Sequence, residues 1–326
     1  MSLNHNKPYN TAIRNWLGRV FEHAKYLSSQ QLTTRNCPVC NSSHYSLFAN
    51  NGYFNYSRCS TCSLIFQNPT VDAAKVGSWY TDDDEIISSM LDIAIQYKTQ
   101  IPEKPDPLQD NKLIDIYRIK KEGRLLDIGC SVGDFLQKAK FFYHVEGVEV
   151  NPTSASIAKQ FFTIHQGFLH ELNLKEPFDI VTLHQILYGI SNPVNLLKEI
   201  RKILKRDGIL YINTPNADSY AMDLFGGKSN HLYGYATQNV FNYSSLERLA
   251  EMTGFKIKTF RTEWLDIYIS DIVVFLNNAK EFIHKRNCQV DHYEENIELE
   301  DDLHSKLKID LKNKGNYLIA VLEKTG

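Results

Sequence analysis

The sequence predicts an α/β fold in which a mostly parallel sheet carries helices on both faces and follows a small β-rich module. From residue 124 onward, apolar runs of strand length alternate with amphipathic stretches of helix length, the pattern of a parallel sheet. Before residue 63, four cysteines stand in two close pairs, the pattern of a small metal-binding module. The chain has 326 residues, 43% of them hydrophobic, so it can fill a large core beside a small one.

The first predicted strand of the sheet ends in an acid and a glycine turn. An apolar run that includes Asp127 is followed by Gly129 and Gly133, after which a helix is expected. Glycine has no Cβ, so the backbone at this turn can approach a ligand closely. The spacing is G-x-x-x-G and does not meet the G-x-G-x-x-G dinucleotide fingerprint. Taken alone, the turn also fits an ordinary loop between a strand and a helix.

The second predicted strand, residues 145–150, carries Glu149 near its end. Ligands of open α/β sheets bind beyond the carboxyl ends of the strands, where an acid can hold both hydroxyls of a ribose. A solvated acid is the alternative interpretation of Glu149. Later strands are expected at residues 178–183, 208–213, 254–260 and 316–322, and helices at residues 193–204 and 246–252, the second of them capped near Ser244.

This order of motifs resembles the class I S-adenosylmethionine-dependent methyltransferases, over roughly residues 124–326. The resemblance implies a Rossmann-like fold with a mostly parallel seven-stranded sheet that ends on an antiparallel hairpin. It also implies S-adenosylmethionine as the cofactor, with its methionine part at the glycine turn and its ribose at the acid of the second strand. The cofactor-binding residues expected on this ground are Asp127, Gly129, Cys130, Gly133, Glu149, Val150, Phe168, Leu169 and His184.

The cysteine pairs predict a structural zinc site. Cys37 and Cys40 form one C-x2-C pair, Cys59 and Cys62 form the other, and 18 residues lie between the pairs. Each short turn can direct two thiolates at one metal, and two turns complete a tetrahedron. Disulfides or free thiols, another metal, and His44 as a substitute ligand are the weaker alternatives. Four thiolates leave no open position for water, so we expect this Zn2+ to be structural rather than catalytic.

Strand-like segments at residues 45–48 and 64–67, followed by Trp79 and Tyr80, extend the resemblance towards the N-terminus. The chain resembles the class I methyltransferases that carry an N-terminal zinc module, among them sugar C-methyltransferases. The expected acceptor is therefore a small molecule, such as a nucleotide-linked sugar. The expected domains are an N-terminal helix (1–34), a zinc-binding module (35–80), a helical linker or lid (81–110) and the methyltransferase domain (111–326), which includes an inserted helix over residues 267–282 and an acidic solvated segment over residues 294–302.

The residues after the third strand supply the candidates for catalysis. His184 and Tyr188 are four residues apart and would share one face of a helical turn. The similar sugar methyltransferases usually have Glu-His where this chain has Tyr188 and Gly189, and commonly have a histidine in place of Asn239. His231, in a glycine-rich loop expected to bind substrate, is a candidate replacement base. The alternatives are a packing histidine at position 184, a pocket wall at Tyr188 and a surface histidine at position 231.

The charge balance argues against a nucleic-acid partner. Lysine and arginine number 36 against 38 acidic residues, and no basic cluster exceeds a few residues. An rRNA or tRNA methyltransferase and a non-catalytic methyltransferase-like binding protein are the alternative functions. No apolar run reaches the roughly 18 residues of a membrane span, and the N-terminus has no signal-peptide pattern. We expect a cytoplasmic protein with no membrane partner, while the oligomeric state stays open.

Overall fold

The computed structural model of the protein describes residues 24–29, 32–82, 105–229, 231–232, 236–263 and 314–325. Most of the predicted N-terminal helix, most of the predicted linker and the predicted insertions at 267–282 and 294–302 lie outside these residues. Within them, no helix is both long enough and apolar enough to cross a bilayer.

The described elements alternate between strands and helices from residue 114 onward. The strands are β1 (Tyr45–Asn50), β2 (Asn55–Cys59), β3 (Ile65–Gln67), β4 (Arg124–Ile128), β5 (His144–Glu149), β6 (Thr163–Gln166), β7 (Phe178–His184), β8 (Leu204–Pro215), β9 (Asn239–Val240), β10 (Phe255–Glu263) and β11 (Tyr317–Lys324). The α-helices are α1 (Ala73–Asp82), α2 (Ile114–Ile119), α3 (Asp134–Ala139), α4 (Pro152–Ala158), α5 (Pro193–Ile203), α6 (Tyr220–Phe225) and α7 (Tyr243–Thr253). Short 3-10 turns cover Leu169–Glu171, Leu187–Gly189 and Gly226–Lys228.

Seven strands form the large sheet in the order β10-β11-β8-β7-β4-β5-β6. Strand β11 runs antiparallel to both of its neighbours, and the remaining pairs are parallel. The chain order reverses between β4 and β7, and ligands of such sheets bind beyond the strand ends at this reversal. The predicted Rossmann-like fold with a mostly parallel seven-stranded sheet is confirmed.

Helices cover both faces of this sheet because side chains alternate along each strand. One face packs against α5 and α7, and its core includes Leu126, Val181, Leu210, Leu197 and Leu249. The opposite face packs against α2, α3 and α4, and its core includes Leu125, Ile180, Ile116, Leu136 and Ala155. The carboxyl ends of β4, β5, β7 and β8 are held at one common edge by these two layers.

A second, smaller sheet of four antiparallel strands has the order β1-β2-β3-β9. Three of its strands surround the cysteine pairs. The fourth, β9, follows β8 in the chain and pairs with β3 through Ile65 opposite Val240 and Phe66 opposite Asn239. The small sheet is therefore completed by residues from the C-terminal half of the chain.

The starts of α7 and β8 lie three or more residues before the predicted starts. Helix α7 begins at Tyr243, because the Asn242 side chain accepts a hydrogen bond from Ser245 N (3.0 Å) and Ser245 Oγ accepts one from Asn242 N (2.9 Å). The predicted cap at Ser244 is therefore wrong. Strand β8 begins at Leu204, which is paired with Phe178, so that the charged residues 205–207, which precede the predicted strand, are part of it.

Candidate functional site

The glycine turn joins the ends of β4 and β5. Gly129 and Gly133 have φ angles of 75° and 89°, values that favour glycine. Gly129 N and Cys130 N both donate to Val148 O, at 2.8 and 3.1 Å. A Cβ on Gly133 would lie 2.8 Å from Phe162 Cε2, and a Cβ on Gly129 would collide with the Ile186 side chain. The turn is therefore compact, and neither glycine can be replaced without moving a neighbour.

Asp127 is a buried acid in the middle of the large sheet. Its side chain is in β4, only 2% of the residue is exposed, and Thr182 Oγ1 donates to its Oδ1 at 2.7 Å. Burial raises the pKa of Asp127 to about 7, although the Thr182 hydrogen bond acts in the opposite direction. A buried carboxyl of this kind favours a positively charged or hydrogen-bond-donating ligand, which would stabilise its ionised form.

Glu149 lies at the end of β5 and is 7% exposed, so the solvated-acid alternative is wrong. Its Oε2 accepts from Ser131 N in the glycine turn, and its Oε1 accepts from Asn151 N, both at 2.8 Å. Burial raises the pKa of Glu149, while these backbone donors act to lower it. Because Asn151 also caps α4 by accepting from Ser154 N, one carboxylate ties together β5, the glycine turn and α4.

The remaining cofactor candidates line the same edge of the sheet. Phe168 is 36% exposed, and its ring stacks on that of His170 with centroids 5.8 Å apart. Val150 follows Glu149 and is partly buried, as is Leu169, which packs against the core. Cys130 is buried, and burial raises the pKa of its thiol, so it is a protonated small residue.

His184 is the last residue of β7 and packs between two aromatic rings. Its ring centroid lies 4.2 Å from that of Phe135 and 5.0 Å from that of Tyr211. Neither ring nitrogen has a hydrogen-bond partner among the described residues, and burial lowers the pKa of His184 well below 6.5. The imidazole is therefore neutral at physiological pH.

Tyr188 lies in the 3-10 turn Leu187–Gly189, so the prediction that it shares a helical face with His184 is wrong. The reason is Gln185, which takes a left-handed φ of 57° and separates the end of β7 from the turn. Gln185 N donates to Asn213 O at 2.9 Å, and the two side-chain amides are also hydrogen-bonded. Burial raises the pKa of Tyr188 to about 12, so its phenol is a hydrogen-bond donor rather than a base at neutral pH.

Tyr80 of α1 lies beside Gly189 and was not among the predicted site residues. A Cβ on Gly189 would be 3.1 Å from Tyr80 Oη and 3.4 Å from Ala236 O. The space beside Gly189 is thus taken by a phenol from another segment. Tyr80 O also accepts from Asn151 Nδ2 at 3.1 Å, so α1 spans from the cofactor candidates to the turn after β7. The sequence signal was the Trp79-Tyr80 pair, which supported only the family resemblance and a lid.

His231 is 1% exposed, so the surface-histidine alternative is wrong. Its ring meets the Tyr317 ring edge-on at 5.4 Å, and burial lowers the pKa of His231 to about 4. Tyr317 begins β11, and β8 lies between β11 and the β7 strand that carries His184. His231 therefore lies in a turn that packs against β11, whereas His184 ends β7, and the two histidines do not form one pair.

The four predicted metal ligands form one cluster. The Sγ atoms of Cys37, Cys40, Cys59 and Cys62 all lie within 4.8 Å of one another. The Cys37–Cys62 and Cys40–Cys59 sulfur distances are 3.6 and 3.5 Å, too long for disulfides and close to the roughly 3.8 Å edge of a tetrahedron with 2.3 Å zinc–sulfur bonds. The disulfide alternative is wrong, and the four thiols fit a tetrahedral metal.

Comparison with known proteins identifies the large domain. The family model described as a methyltransferase domain matches residues 103–259. The matched residues, just under half of the chain, therefore resemble a methyltransferase domain. The predicted enzyme class, an S-adenosylmethionine-dependent methyltransferase, is thereby confirmed. The likeness to sugar C-methyltransferases stays a prediction.

The relatives share this domain with moderate identity. An uncharacterised protein of Methanocaldococcus jannaschii is 28% identical over 149 residues, which are 45% of this chain and 71% of that protein. A ubiquinone biosynthesis O-methyltransferase of Haemophilus ducreyi is 30% identical over 107 residues, which are 28% of this chain and 45% of that enzyme. The match thus spans less than half of that enzyme. Among solved structures, the plantazolicin methyltransferase BpumL aligns with a TM-score of 0.47 and 17% identity, covering 78% of this chain and 96% of that one.

Proposed function

We propose that the protein transfers the methyl group of S-adenosylmethionine to a small molecule. The observation that supports this most is Glu149, a buried acid at the end of β5 whose carboxylate is tied by a hydrogen bond to the glycine turn. An acid in this place can accept both ribose hydroxyls, and the neighbouring glycines leave the backbone open to the cofactor. The residues proposed to hold the cofactor are Asp127, Gly129, Cys130, Gly133, Glu149, Val150, Phe168, Leu169 and His184.

The bound cofactor would supply an activated methyl group on a sulfonium, so the protein mainly has to orient two molecules. Asp127 supplies negative charge under the glycine turn, and Glu149 fixes the ribose end. His184 provides a neutral, apolar-packed wall at the end of β7. Helix α1 borders one side of the site, where Gly77 lies beside Phe168 and Tyr80 O accepts from Asn151 Nδ2.

The acceptor is proposed to lie beyond the ends of β7 and β8, near the phenols of Tyr188 and Tyr80. Tyr188 and Tyr80 keep their protons at neutral pH because burial raises the pKa of both phenols. They can therefore donate hydrogen bonds to an acceptor oxygen, while His184 or His231 could take a proton. This set favours a neutral polar group at the reacting position, such as a sugar ring, and a nucleotide-linked sugar or related metabolite is the class to test first.

We also propose that the cysteine cluster holds Zn2+. Four thiolates would close its coordination shell, so the metal would stabilise the small sheet and take no part in methyl transfer. Reduced thiols fit a reducing compartment, and a cytoplasmic location is part of this proposal.

Label transfer tests the proposal. Metal-loaded protein is incubated with S-adenosylmethionine carrying a tritiated methyl group and with nucleotide-linked sugars, phenols or total tRNA and rRNA as separate acceptors. We expect label in a small-molecule fraction with wild type and at least tenfold less with Glu149→Ala. Label in RNA would favour the nucleic-acid alternative. No label in any fraction, from protein that binds the cofactor, would favour the non-catalytic alternative.

A further inference from the structure

The segment after β7, residues 185–192, is held from outside by three donors to its backbone carbonyls. We name this segment the acceptor-side loop. Gln238 N donates to Tyr188 O at 2.9 Å, and Asn239 Nδ2 donates to Ile190 O at 2.6 Å. A guanidinium nitrogen of Arg35, Nη1, donates to Ser191 O at 3.1 Å. These three bonds fix nearly consecutive peptide groups of the loop.

All three donors belong to the small sheet or to the segment that leads into it. Asn239 is in β9 and pairs with Phe66 of β3, and Gln238 directly precedes it. Arg35 comes two residues before the first cysteine of the cluster. The small sheet therefore contacts the acceptor-side loop through both its N-terminal segment and its last strand.

Arg35 bridges three chain segments with one side chain. Besides the bond to Ser191, its Nε donates to Gln67 O at 3.3 Å and its Nη2 donates to Gln238 O at 3.1 Å. No carboxylate forms an ion pair with Arg35 among the residues that the structure describes. A planar guanidinium can satisfy three carbonyls at once, whereas a lysine ammonium offers one point charge on a flexible stem.

A buried polar network keeps the same junction rigid. Thr70 Oγ1 lies within hydrogen-bond distance of both Gln67 Oε1 (2.9 Å) and Gln238 Oε1 (2.7 Å) and can donate its proton to either oxygen. Gln238 Nε2 in turn donates to Gln67 Oε1 at 2.9 Å. Buried amides are costly to leave without partners, so these side chains resist any shift of β9 relative to β3.

We propose that Arg35 is a positioning residue through which the four-cysteine module sets the conformation of the acceptor-side loop. The four-cysteine module thereby governs the acceptor end of the site. The cofactor end, built on β4 and β5, meets the loop through the Ile186 side chain beside Gly129 and has no hydrogen bond to Arg35 among the described residues, so it should respond less. That this loop faces the methyl acceptor rests on the proposed function, whereas its coupling to Arg35 is a property of the fold.

Hydrogen exchange of the metal-loaded full chain, read by mass spectrometry, tests this coupling. The variants are Arg35→Met, which removes the three side-chain hydrogen bonds of Arg35, and Arg35→Lys, which retains a charge. Arg58→Met is the matched control, because Arg58 lies in the same sheet, stacks on Phe48 and faces Asp218 at 3.7 Å, with no bond to the loop. We expect Arg35→Met to speed exchange in residues 185–192 and 237–240 about tenfold.

Arg35→Lys should restore part of that protection, and peptides over β4 (residues 124–128) should not change in any of the variants. Chelation of the metal from wild type should reproduce the pattern of Arg35→Met. Unchanged exchange in residues 185–192, or an equal effect of Arg58→Met, would overturn the inference. If Arg35→Met does not fold, Arg35→Lys and chelated wild type decide the question.

S-adenosylhomocysteine affinity separates this inference from the proposed function. We expect Arg35→Met to bind S-adenosylhomocysteine as wild type does, and to raise KM for any acceptor found by label transfer without raising KM for S-adenosylmethionine. Cofactor binding that weakens as much as acceptor binding in Arg35→Met would contradict the expected weaker response of the cofactor end. Failure of wild type to bind the ligand would refute the proposed function and leave the exchange result standing.

Discussion

The buried acid of β4 should make the stability of the protein depend on pH in a way that one substitution removes. Burial raises the pKa of Asp127 from 3.8 to about 7, so the folded state binds this proton more tightly than the unfolded state. The free energy of unfolding therefore rises as the pH falls through 7, and the gain levels off below 3.8. Asp127→Asn keeps an oxygen that can accept from Thr182 Oγ1 but cannot ionise.

The size of the effect follows from the shift. One pKa unit corresponds to about 1.4 kcal/mol, so a shift from 3.8 to about 7 costs the ionised form about 4 kcal/mol at high pH. As the pH falls from 8 to 6, protonation of Asp127 recovers part of this cost. Linkage gives an increase of about 1.4 kcal/mol in the free energy of unfolding. His184 and His231 oppose this gain. Burial lowers the pKa of both histidines, so the folded state loses stability as the pH falls through 6.5.

The assay is therefore a difference between two proteins. Urea unfolding of metal-loaded, cofactor-free wild type and Asp127→Asn at pH 6, 7 and 8 cancels the histidine contributions. We expect the stability advantage of Asp127→Asn to shrink by about 1.4 kcal/mol from pH 8 to pH 6. Asp207→Asn is the control, because the Lys120 ion pair lowers the pKa of Asp207 and keeps it ionised throughout. A constant difference between wild type and Asp127→Asn would refute the reasoning.

Three further predictions concern backbone, cap and metal. Gly129→Ala should lower the free energy of unfolding by about 2 kcal/mol, because a left-handed alanine would also collide with Ile186, and urea unfolding with unchanged stability would contradict this. Asn242→Ala should lower the free energy of unfolding by about 1 kcal/mol, because it removes the side-chain cap of α7 that accepts from Ser245 N. Ser244→Ala should lower it by less than half of that, and equal losses would be inconsistent with the observed cap. Chelating the metal should lower the Tm of wild type in calorimetry and release one metal per chain, and an unchanged Tm would contradict a structural metal.

The fold could be predicted from the sequence because its central strands, such as β4, β7 and β11, are mostly buried apolar runs. The predicted strand at 178–183 matches β7 (Phe178–His184), and that at 145–150 matches β5 (His144–Glu149) with a shift of one residue. The start of β8 could not be predicted, because charged residues are drawn into the strand by pairing with β7. Local patterns give the existence of a strand, and its ends depend on its neighbours.

The site could be predicted only where it follows a local motif. Asp127, Glu149 and the cysteine cluster each stand in a short pattern with a physical meaning. Tyr80 beside Gly189, and Arg35 bound to Ser191 across 156 residues, depend on contacts that no periodicity records. Strand β9 is only two residues long, too short for any alternation, so the junction of the two sheets carried no signal in the sequence.

Calorimetric titration with S-adenosylhomocysteine tests the central claim most directly. We predict micromolar binding to metal-loaded wild type, at least tenfold weaker binding to Glu149→Ala and none with NAD as the ligand. The weakening is expected because Glu149 is the buried acid placed to accept the ribose hydroxyls. Absence of S-adenosylhomocysteine binding to folded wild type, or equal affinity in Glu149→Ala, would contradict the account.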